Sequence, residues 1–271
     1  MSPSLPSIRK YLKRQKITLK KVASKLSTQQ HKDRDEQFKQ IKRLRTAFLK
    51  SGNTVISVDT KKKELIGLLK VLGRVWRKVA KCVLDHDFSS LAKAKVVPFG
   101  IYDLKHNRGN FYCNTSHETS EFLAEMIAMW WEETGRFLYP DKNRLLIFCD
   151  AGGANGYKRH GWKVELQEKL VSKYGLQVTV CHYPTGASKW NPIEHKLFSY
   201  VSINMAGEPL ESVEKFLSLI RSTTTKKGLV VEAQLIEKEY KTGLECSSER
   251  RNRVNIQYMA LLPDWNYTIF P

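Results

Sequence analysis

The stretch TVISVD, residues 54–59, is rich in β-branched residues and ends on an acidic side chain. This composition predicts a buried β-strand whose last residue, Asp59, lies at the edge of a sheet. A second apolar run, RLLIFCD at 144–150, ends on Asp150, and a third carboxylate, Glu194, opens the helical segment NPIEHKLF. Each of these acidic residues is ordinary by itself, as a turn-former or a helix cap. Their combination indicates a cluster of carboxylates.

The whole core is predicted to run βββαβαβα. Its elements are the strand at 54–59, hairpin arms at 98–104 and 110–113, a helix at 118–134, the strand at 144–150, a helix at 161–173, a strand at 176–182 and a helix that begins after Asn191. We expect Thr115 or Ser116 near the N-terminal cap of the first of these helices. The insertion before the hairpin, which contains DHDF at 85–88, gives no clear prediction.

This element order is that of the ribonuclease-H-like fold, a mixed α/β fold. Its core is a five-stranded mixed sheet, in which a meander of three antiparallel strands is extended by two parallel strands through helical crossovers. The first and fourth strands are then neighbours, so we expect Asp59 and Asp150 to face each other. Carboxylates arranged in this way suit two Mg²⁺ or Mn²⁺ ions about 3.5–4 Å apart, because these ions prefer hard oxygen ligands. The ions would also make the mutual repulsion of the carboxylates tolerable.

Glu194 has two interpretations that the residues leave open. With Asn191 as N-cap and Pro192 at the first helical position, its side chain fits a capping box and would reach back to the cap amide. The preceding loop, HYPTGASKWN, is more elaborate than a cap requires and leads directly from the fifth strand to the carboxylate. That setting favours Glu194 as the third member of the acidic site.

The chain is strongly basic, with a formal net charge of +19. Residues 1–32 contain nine Lys or Arg and no acid. A basic N-terminal segment of this kind is typical of nucleic-acid binding through the phosphates, although a solvated tail has the same composition. Ser4 or Ser7 with Pro6 predicts the start of a short helix in this segment. The cations of the helix that we expect to bind DNA are Arg9, Lys10, Lys13 and Arg14.

A second helix is predicted from about Asp33 to Leu49, before the stop signal Ser51-Gly52-Asn53. We therefore expect two parts of the chain. Residues 1–50 would be a basic helical segment, the remnant of a helix-turn-helix DNA-binding region with a linker helix. Residues 51–271 would be a ribonuclease-H-like catalytic domain with a C-terminal extension.

Composition excludes several other classes of protein. No stretch approaches the ~18 apolar residues of a membrane span, and the N-terminus lacks the apolar core of a secretory signal. The five cysteines are odd in number and widely spaced, which fits neither a disulfide framework nor a zinc site. We expect a soluble protein in the cytoplasm, associated with the nucleoid when it is on DNA.

Loops beside the predicted carboxylates contain further candidates for DNA contact, namely Lys158, Arg159, Lys189 and Trp190. The cations would clamp the DNA backbone and Trp190 would stack on a base, whereas core packing is the alternative for the tryptophan. His182 and His195 could orient a water or a phosphate, but satisfied core or surface histidines are more common.

Longer blocks of sequence carry a resemblance to a known family. They include VISVDTKKKELIG, PFGIYDL, WWEETGRFLYP, LLIFCDAGGANGYK and VTVCHYPTGASKWNPIEHKLFSYVS, in that order. From about Asp33 to Pro271 the chain resembles the Rhodopirellula-type DDE transposases of bacterial insertion sequences, and SIRKYLKR resembles the end of that family's helix-turn-helix. The resemblance implies metal-dependent cleavage of DNA at element ends and strand transfer into target DNA. It makes Asp59, Asp150 and Glu194 the catalytic and metal-binding residues, and implies a homo-oligomer in a synaptic complex.

The chain departs from the family pattern at several positions near these residues. Ala151 and Ala154 stand where the family usually has Ser, and Met205-Ala206 stands where it has Trp-Arg. No predicted metal-binding carboxylate is lost. Two alternatives to a transposase therefore stay open: a nuclease of the same fold that cuts without joining strands, and a truncated or catalytically inactive DNA-binding remnant.

Overall fold

The computed structural model describes residues 4–18, 31–85 and 88–271. The chain forms two compact units, Met1–Gln30 and His31–Pro271. In the first unit, helix α1 spans Leu5–Arg14, and the hydroxyl of Ser4 accepts a hydrogen bond from the amide of Ser7 as its N-cap. The predicted N-terminal helix is confirmed. Its side chains are all exposed, including the basic residues expected to bind DNA.

The larger unit is built on one mixed sheet. The strands are β1 (Thr54–Thr60), β2 (Glu64–Ile66), β3 (Ala94–Asp103), β4 (Arg108–Asn114), β5 (Arg144–Cys149), β6 (Gln177–His182), β7 (Val230–Ile236), β8 (Ile256–Tyr258) and β9 (Asn266–Ile269). Their order is β7-β4-β3-β1-β5-β6-β9-β8, with β2 paired to β3. The central strands β4-β3-β1-β5-β6 confirm the predicted ribonuclease-H-like core.

The sheet is wider than the five strands that the sequence predicts. Strand β7 adds to one edge, parallel to β4, and β9 with β8 adds to the other, where β9 pairs antiparallel with β6. These edge strands come from the C-terminal third of the chain. They cover the open edges of the core and protect its outer strands from pairing with other chains.

Helices cover both faces of the sheet. They are α2 (Arg34–Lys50), α3 (Ser120–Trp130, extended by a π-helical turn at Trp131–Gly135 and by Arg136–Leu138), α4 (His160–Leu166, extended by Gln167–Val171 and Ser172–Tyr174), α5 (a π-helical turn at Glu194–Phe198 and then Ser199–Met205), α6 (Val213–Arg221) and α7 (Ser248–Asn252). The cap of α3 differs from the prediction. Thr119, rather than Thr115 or Ser116, accepts the amide of Phe122 at 3.1 Å, because the helix begins later than its sequence pattern suggests.

Alternate residues of the central strands face different cores. Leu145 and Ile147 of β5 join a cluster with Trp130 of α3 and Trp162 of α4 on one face. On the other face α2 packs against Leu146 of β5 and its neighbours, while α5 and α6 pack against β3 and β4. This alternation follows from the period of two of a β-strand. Helix α2, which the sequence analysis grouped with the N-terminal segment, is thus part of the compact unit around the sheet.

Glycines allow α5 to lie directly on the sheet. Gly100 of β3 pairs with Asp59 of β1 in the ladder. A Cβ atom added at Gly100 would lie 2.5 Å from Cε1 of Phe198 and 3.0 Å from Cδ1 of Ile193. Gly109 of β4 is covered in the same way by Leu197. The approach of α5 to the strands therefore depends on the absence of side chains at these two positions.

The first prediction concerns this contact. Gly100→Ala should lower the free energy of unfolding by about 1–3 kcal/mol, because the added methyl group overpacks the contact with α5. Gly152→Ala is the matched control, since a Cβ atom there meets nothing within 4 Å. Urea denaturation of both variants measures the effect. Equal stability of the two variants would show that α5 does not press on β3.

No helix among the described residues is both long and apolar enough to cross a membrane.

Candidate active site

Asp59 and Asp150 lie at the same edge of the sheet. Strands β1 and β5 are parallel neighbours, and their register pairs Ser57 with Phe148. Two residues further along each strand, Asp59 and Asp150 therefore stand side by side. Asp59 is partly anchored, since its Oδ1 accepts the amide of Thr60 at 2.8 Å. The structure thus confirms the expectation from the sequence that Asp59 and Asp150 are neighbours.

Glu194 reaches this edge from α5. The amide of Glu194 donates to the carbonyl of Asn191 at 3.1 Å, which starts the helix. The capping-box interpretation requires the amide of Asn191 to meet the Glu194 carboxylate, but that amide donates to the carbonyl of Ser188 at 2.8 Å. The Glu194 side chain is therefore not used as a cap. It is half-buried at the start of the helix, on the side of the two aspartates.

Asn191 ties the three elements together. Its side chain is fully buried. The carboxamide oxygen accepts a hydrogen bond from the hydroxyl of Ser57, and the same hydroxyl accepts the amide of Ile193 at 3.1 Å. The carboxamide nitrogen donates to Oδ1 of Asp150 at 3.2 Å and faces the carbonyl of Val58 at 3.5 Å. One amide group thus joins β1, the end of β5 and the start of α5.

The acidic side chains interact electrostatically. Burial, followed by the negative charge of Asp150, raises the pKa of Asp59 to about 8, and Glu194 and Glu118 contribute smaller repulsions. Burial and the charge of Asp150 also raise the pKa of Glu194, against an opposing attraction from Lys61. A negative charge on Asp59 is therefore unfavourable without a compensating cation. This is the electrostatic setting expected of a site for positive ions.

Glu118 is a fourth carboxylate that the sequence analysis missed. It lies in the loop between β4 and α3, and its Oε1 would be 3.8 Å from a Cβ atom added at Gly153. The loop that holds Gly153 is fixed to α3, because the hydroxyl of Ser120 donates to the carbonyl of Ala154 at 2.5 Å. The signal that could have identified Glu118 in the sequence is its position, as an acidic residue just before the helix that follows the hairpin.

Comparison with known proteins places the chain in a family. Residues 1–271 match the family model described as Rhodopirellula transposase DDE domain. The chain belongs to this DDE transposase family. The membership confirms the resemblance that the sequence blocks carry. A search of curated proteins found no match.

Among solved structures, this DDE transposase domain is similar to Mos1 transposase. Its fold matches the Mos1 paired-end complex with the left transposon end with a TM-score of 0.50 and 10% identity, over 78% of this chain and 60% of the Mos1 chain. A Mos1 mariner paired-end complex with Mn gives a TM-score of 0.48 and 11% identity, over 78% and 60% of the two chains. At such low identity the first match shows a shared fold. The chain spans less than two thirds of the Mos1 chain.

His182 has a structural role in this domain. It is fully buried, and burial lowers its pKa to about 4, so the ring is neutral. Its Nδ1 donates to the carbonyl of Asp150 at 2.8 Å, since a carbonyl can only accept. The ring therefore fixes the backbone that bears Asp150 and is closed to solvent. His195 is exposed on the outer side of α5.

The donor types at the site fit a hard divalent cation. The side chains of Asp59, Asp150, Glu194 and Glu118 offer carboxylate oxygens, which Mg²⁺ and Mn²⁺ prefer. Over residues 4–18, 31–85 and 88–271, no three His, Cys, Asp or Glu side chains come close enough to form a ready-made metal cluster. The strand register and the electrostatic interactions show that the carboxylates are neighbours, but they do not form a closed ligand shell.

The predicted DNA contacts near the site are exposed. Lys158, Arg159 and Lys189 are exposed, and no described carboxylate forms an ion pair with them. Trp190 is 54% exposed, with Lys189 lying 5.4 Å from its ring centroid and one edge against Phe38. Core packing, the alternative interpretation of this tryptophan, therefore does not account for the exposed half of its surface. These loops follow β5 and β6, the strands that end beside the carboxylates.

The second prediction tests Asn191 as a positioning residue. Asn191→Ala should lower the free energy of unfolding by about 1–3 kcal/mol, because the buried hydroxyl of Ser57 and the partly buried carboxylate of Asp150 lose their partner. Asn204→Ala is the control on the same helix, since Asn204 is exposed and bonds to the carbonyl of Leu219. Urea denaturation should show a clearly smaller loss for the control. A harmless Asn191→Ala would contradict the role of this side chain.

The third prediction concerns charge in the metal-free protein. The pKa of Asp59 is raised from 3.8 to about 8, so the folded state holds a proton that the unfolded state releases. The contribution of Asp59 to the free energy of unfolding should therefore be most favourable below pH 4 and should decrease as the pH rises towards 8. Asp59→Asn should remove that fall and raise the melting temperature at pH 8 by about 2 °C or more. Thermal scans in a chelating buffer across this pH range measure it, and a variant that melts lower at pH 8 would contradict the repulsion.

Proposed function

We propose that the chain is a transposase of an insertion sequence, which hydrolyses a phosphodiester at an element end and joins the freed 3′ hydroxyl to target DNA. The observation that carries the proposal is the parallel pairing of β1 with β5. It puts Asp59 and Asp150 side by side, and Asn191 links both strands to the helix that bears Glu194. Membership in the DDE transposase family supports the same activity.

In this proposal Asp59, Asp150 and Glu194 are the catalytic and metal-binding residues. They would hold two Mg²⁺ or Mn²⁺ ions. When bound, such a pair activates the attacking water or 3′ hydroxyl and stabilises the departing oxygen of an in-line displacement. The raised pKa of Asp59 supports this assignment, because a buried carboxylate among other carboxylates favours cations at the site.

The residues around the carboxylates would orient them and hold the DNA. Asn191 keeps one oxygen of Asp150 directed by a hydrogen bond, so the other oxygen is left for a ligand. Lys158, Arg159 and Lys189 would bind phosphates on either side of the reacting bond, and the exposed ring of Trp190 would stack on a base. The exposed cations of α1, namely Arg9, Lys10, Lys13 and Arg14, would add contacts to the backbone.

The same proposal sets the partners and the place of action. DNA carrying the element ends and the target DNA would be the substrates, and joining two ends calls for a homo-oligomer in a synaptic complex. The protein would act in the cytoplasm, on the nucleoid. Residues 1–50 would serve as a basic DNA-binding segment whose second helix, α2, packs on the sheet, and residues 51–271 as the catalytic domain with its C-terminal extension.

The fourth prediction tests the catalytic residues with isosteric amides. Asp59→Asn, Asp150→Asn and Glu194→Gln should each lower the rate of strand cleavage by about 100-fold or more, because several kcal/mol of transition-state stabilisation are lost. The full chain is incubated with Mg²⁺ or Mn²⁺ and labelled DNA that carries the genomic ends flanking its coding sequence. Salt-sensitive DNA binding should be retained in all three variants, and calorimetry should show weaker binding of Mn²⁺.

Three outcomes would count against the proposal in different ways. Retained cleavage by Asp150→Asn would reject the assignment of the site. Cleavage by the wild type with no joined product from a pre-cut 3′ end would indicate a nuclease instead. Absence of carboxylate-dependent binding of divalent metal would indicate an inactive DNA-binding remnant. His195→Ala, on the exposed side of α5, is the control that should leave the cleavage rate unchanged.

A further inference from the structure

A loop with an unusual surface lies between β2 and β3. The loop, residues 70–84, is called the arm below. It is closed at its base, where the amide of Lys70 donates to the carbonyl of Leu84 at 2.8 Å and the amide of Leu84 donates to the carbonyl of Leu68 at 2.9 Å. The adjoining Leu69 is buried. The arm is therefore held at a fixed exit from the core.

The arm is also anchored along its length to the segment that follows α5. A Cβ atom added at Gly73 would lie 2.7 Å from Cβ of Ala206 and from backbone atoms of Ala206 and Gly207, so the two segments meet there with no room for a side chain at Gly73. Arg77 pairs with Glu208 at 2.7 Å, and Lys81 pairs with Glu211 at 2.5 Å. These contacts fix which side of the arm faces solvent.

The outward side of the arm is apolar and aromatic. Trp76 is fully exposed, Leu72 is 85% exposed and Val79 is 80% exposed. Three large apolar side chains on a single short loop are unusual for a surface that stays in water, and such patches mark binding sites. Trp76 in particular offers both faces of its ring to a partner.

The charges of the arm indicate the kind of partner. Arg74 and Lys78 flank Trp76, and no carboxylate in the described part of the chain forms an ion pair with either. Arg77 and Lys81 are neutralised by their pairs with glutamates, so the net charge presented outward is positive. A second copy of the chain meeting this surface face to face would bring like charges together, which disfavours association. A nucleic acid with unpaired bases would offer phosphates to the cations and rings that stack on the tryptophan.

The position of the arm relates it to the carboxylates. Helix α5 begins with Glu194 and ends at Met205, next to the residues on which the arm is anchored. At a rise of about 1.5 Å per residue, the two ends of the helix are about 16 Å apart. That distance corresponds to about five base steps of DNA at 3.4 Å each. DNA held at Glu194 would therefore reach the arm within half a helical turn.

We propose that the arm is a DNA contact, in which Arg74 and Lys78 neutralise phosphates and Trp76 stacks on an unpaired base about half a helical turn from the cleaved bond. The inference rests on the proposed function in one respect, namely that DNA is the substrate. It adds a binding surface beyond the carboxylates and beyond the loops that contain Lys158 and Trp190. It also gives a role to an insertion whose sequence predicts no regular structure.

The fifth prediction is tested by DNA binding without metal, in the Asp150→Asn background so that no cleavage is required. The probes are a blunt duplex and the same duplex with a single-stranded tail, measured by fluorescence anisotropy at several salt concentrations. Trp76→Ala should weaken binding of the tailed probe by about 5- to 150-fold and that of the blunt probe much less. Replacing both Arg74 and Lys78 with Ala should make the slope of log K against log salt shallower by about 1.8 for the blunt duplex.

Phe137→Ala is the matched control for Trp76. Phe137 is also an exposed aromatic residue with an arginine, Arg136, over its ring, but it lies in the last turn of α3, on the opposite face of the sheet from α5. It should change neither affinity nor salt slope.

Several results would overturn the inference. Unchanged affinity in Trp76→Ala with an unchanged slope in the Arg74 and Lys78 double variant would remove the arm from the DNA interface. If Trp76→Ala instead shifted a monomer–dimer equilibrium in sedimentation, the arm would be an interface between copies. Wild-type protein that binds neither probe would overturn this inference and the proposed function together. Loss of the catalytic assignment alone would leave the binding differences intact, so the two proposals fail separately.

Discussion

The carboxamide of Asn191 is the constraint on which the candidate site depends. It is buried where three chain segments meet, and it hydrogen-bonds to Ser57 of β1 and to Asp150 after β5 while its own backbone starts α5. A buried amide with unpaired groups would be costly, so each of these partners is needed for the others to be satisfied. The three elements that carry the carboxylates are thereby fixed relative to one another by a single polar side chain.

The packing around this amide follows the same requirement. Helix α5 comes close enough to β3 and β4 only because Gly100 and Gly109 have no side chains. The result is a tightly supported arrangement of carboxylates, in which burial first and mutual repulsion second raise the pKa of Asp59. The core must stabilise this repulsion, and the wide sheet with helices on both faces supplies the buried area for it. A rigid support of this kind suits a site whose ligands must be held in place.

The sequence predicts the centre of the fold well and its periphery poorly, for physical reasons. Strands β1 and β5 are recognisable because both of their faces are buried, and the side-by-side position of Asp59 and Asp150 follows from topology alone. The edge strands β7 and β9 depend on pairing with distant partners, which local patterns do not encode. The role of Asn191 was also hidden, because an Asn-Pro pair before a helix is an ordinary start signal. Glu118 becomes part of the site only through the tertiary placement of a loop.

Helix α5 connects the two regions that we propose to act on DNA. Its first turn carries Glu194 in an acidic environment, and its last turn adjoins the anchor of the basic arm. At physiological salt the Debye length is about 8 Å, so charges at the two ends of a helix about 16 Å long are largely screened from each other. Phosphate binding at the arm would therefore not be cancelled by the negative charge that the metal ions need. Separation along one rigid helix lets a single protein bind a polyanion tightly and still keep an acidic site beside it.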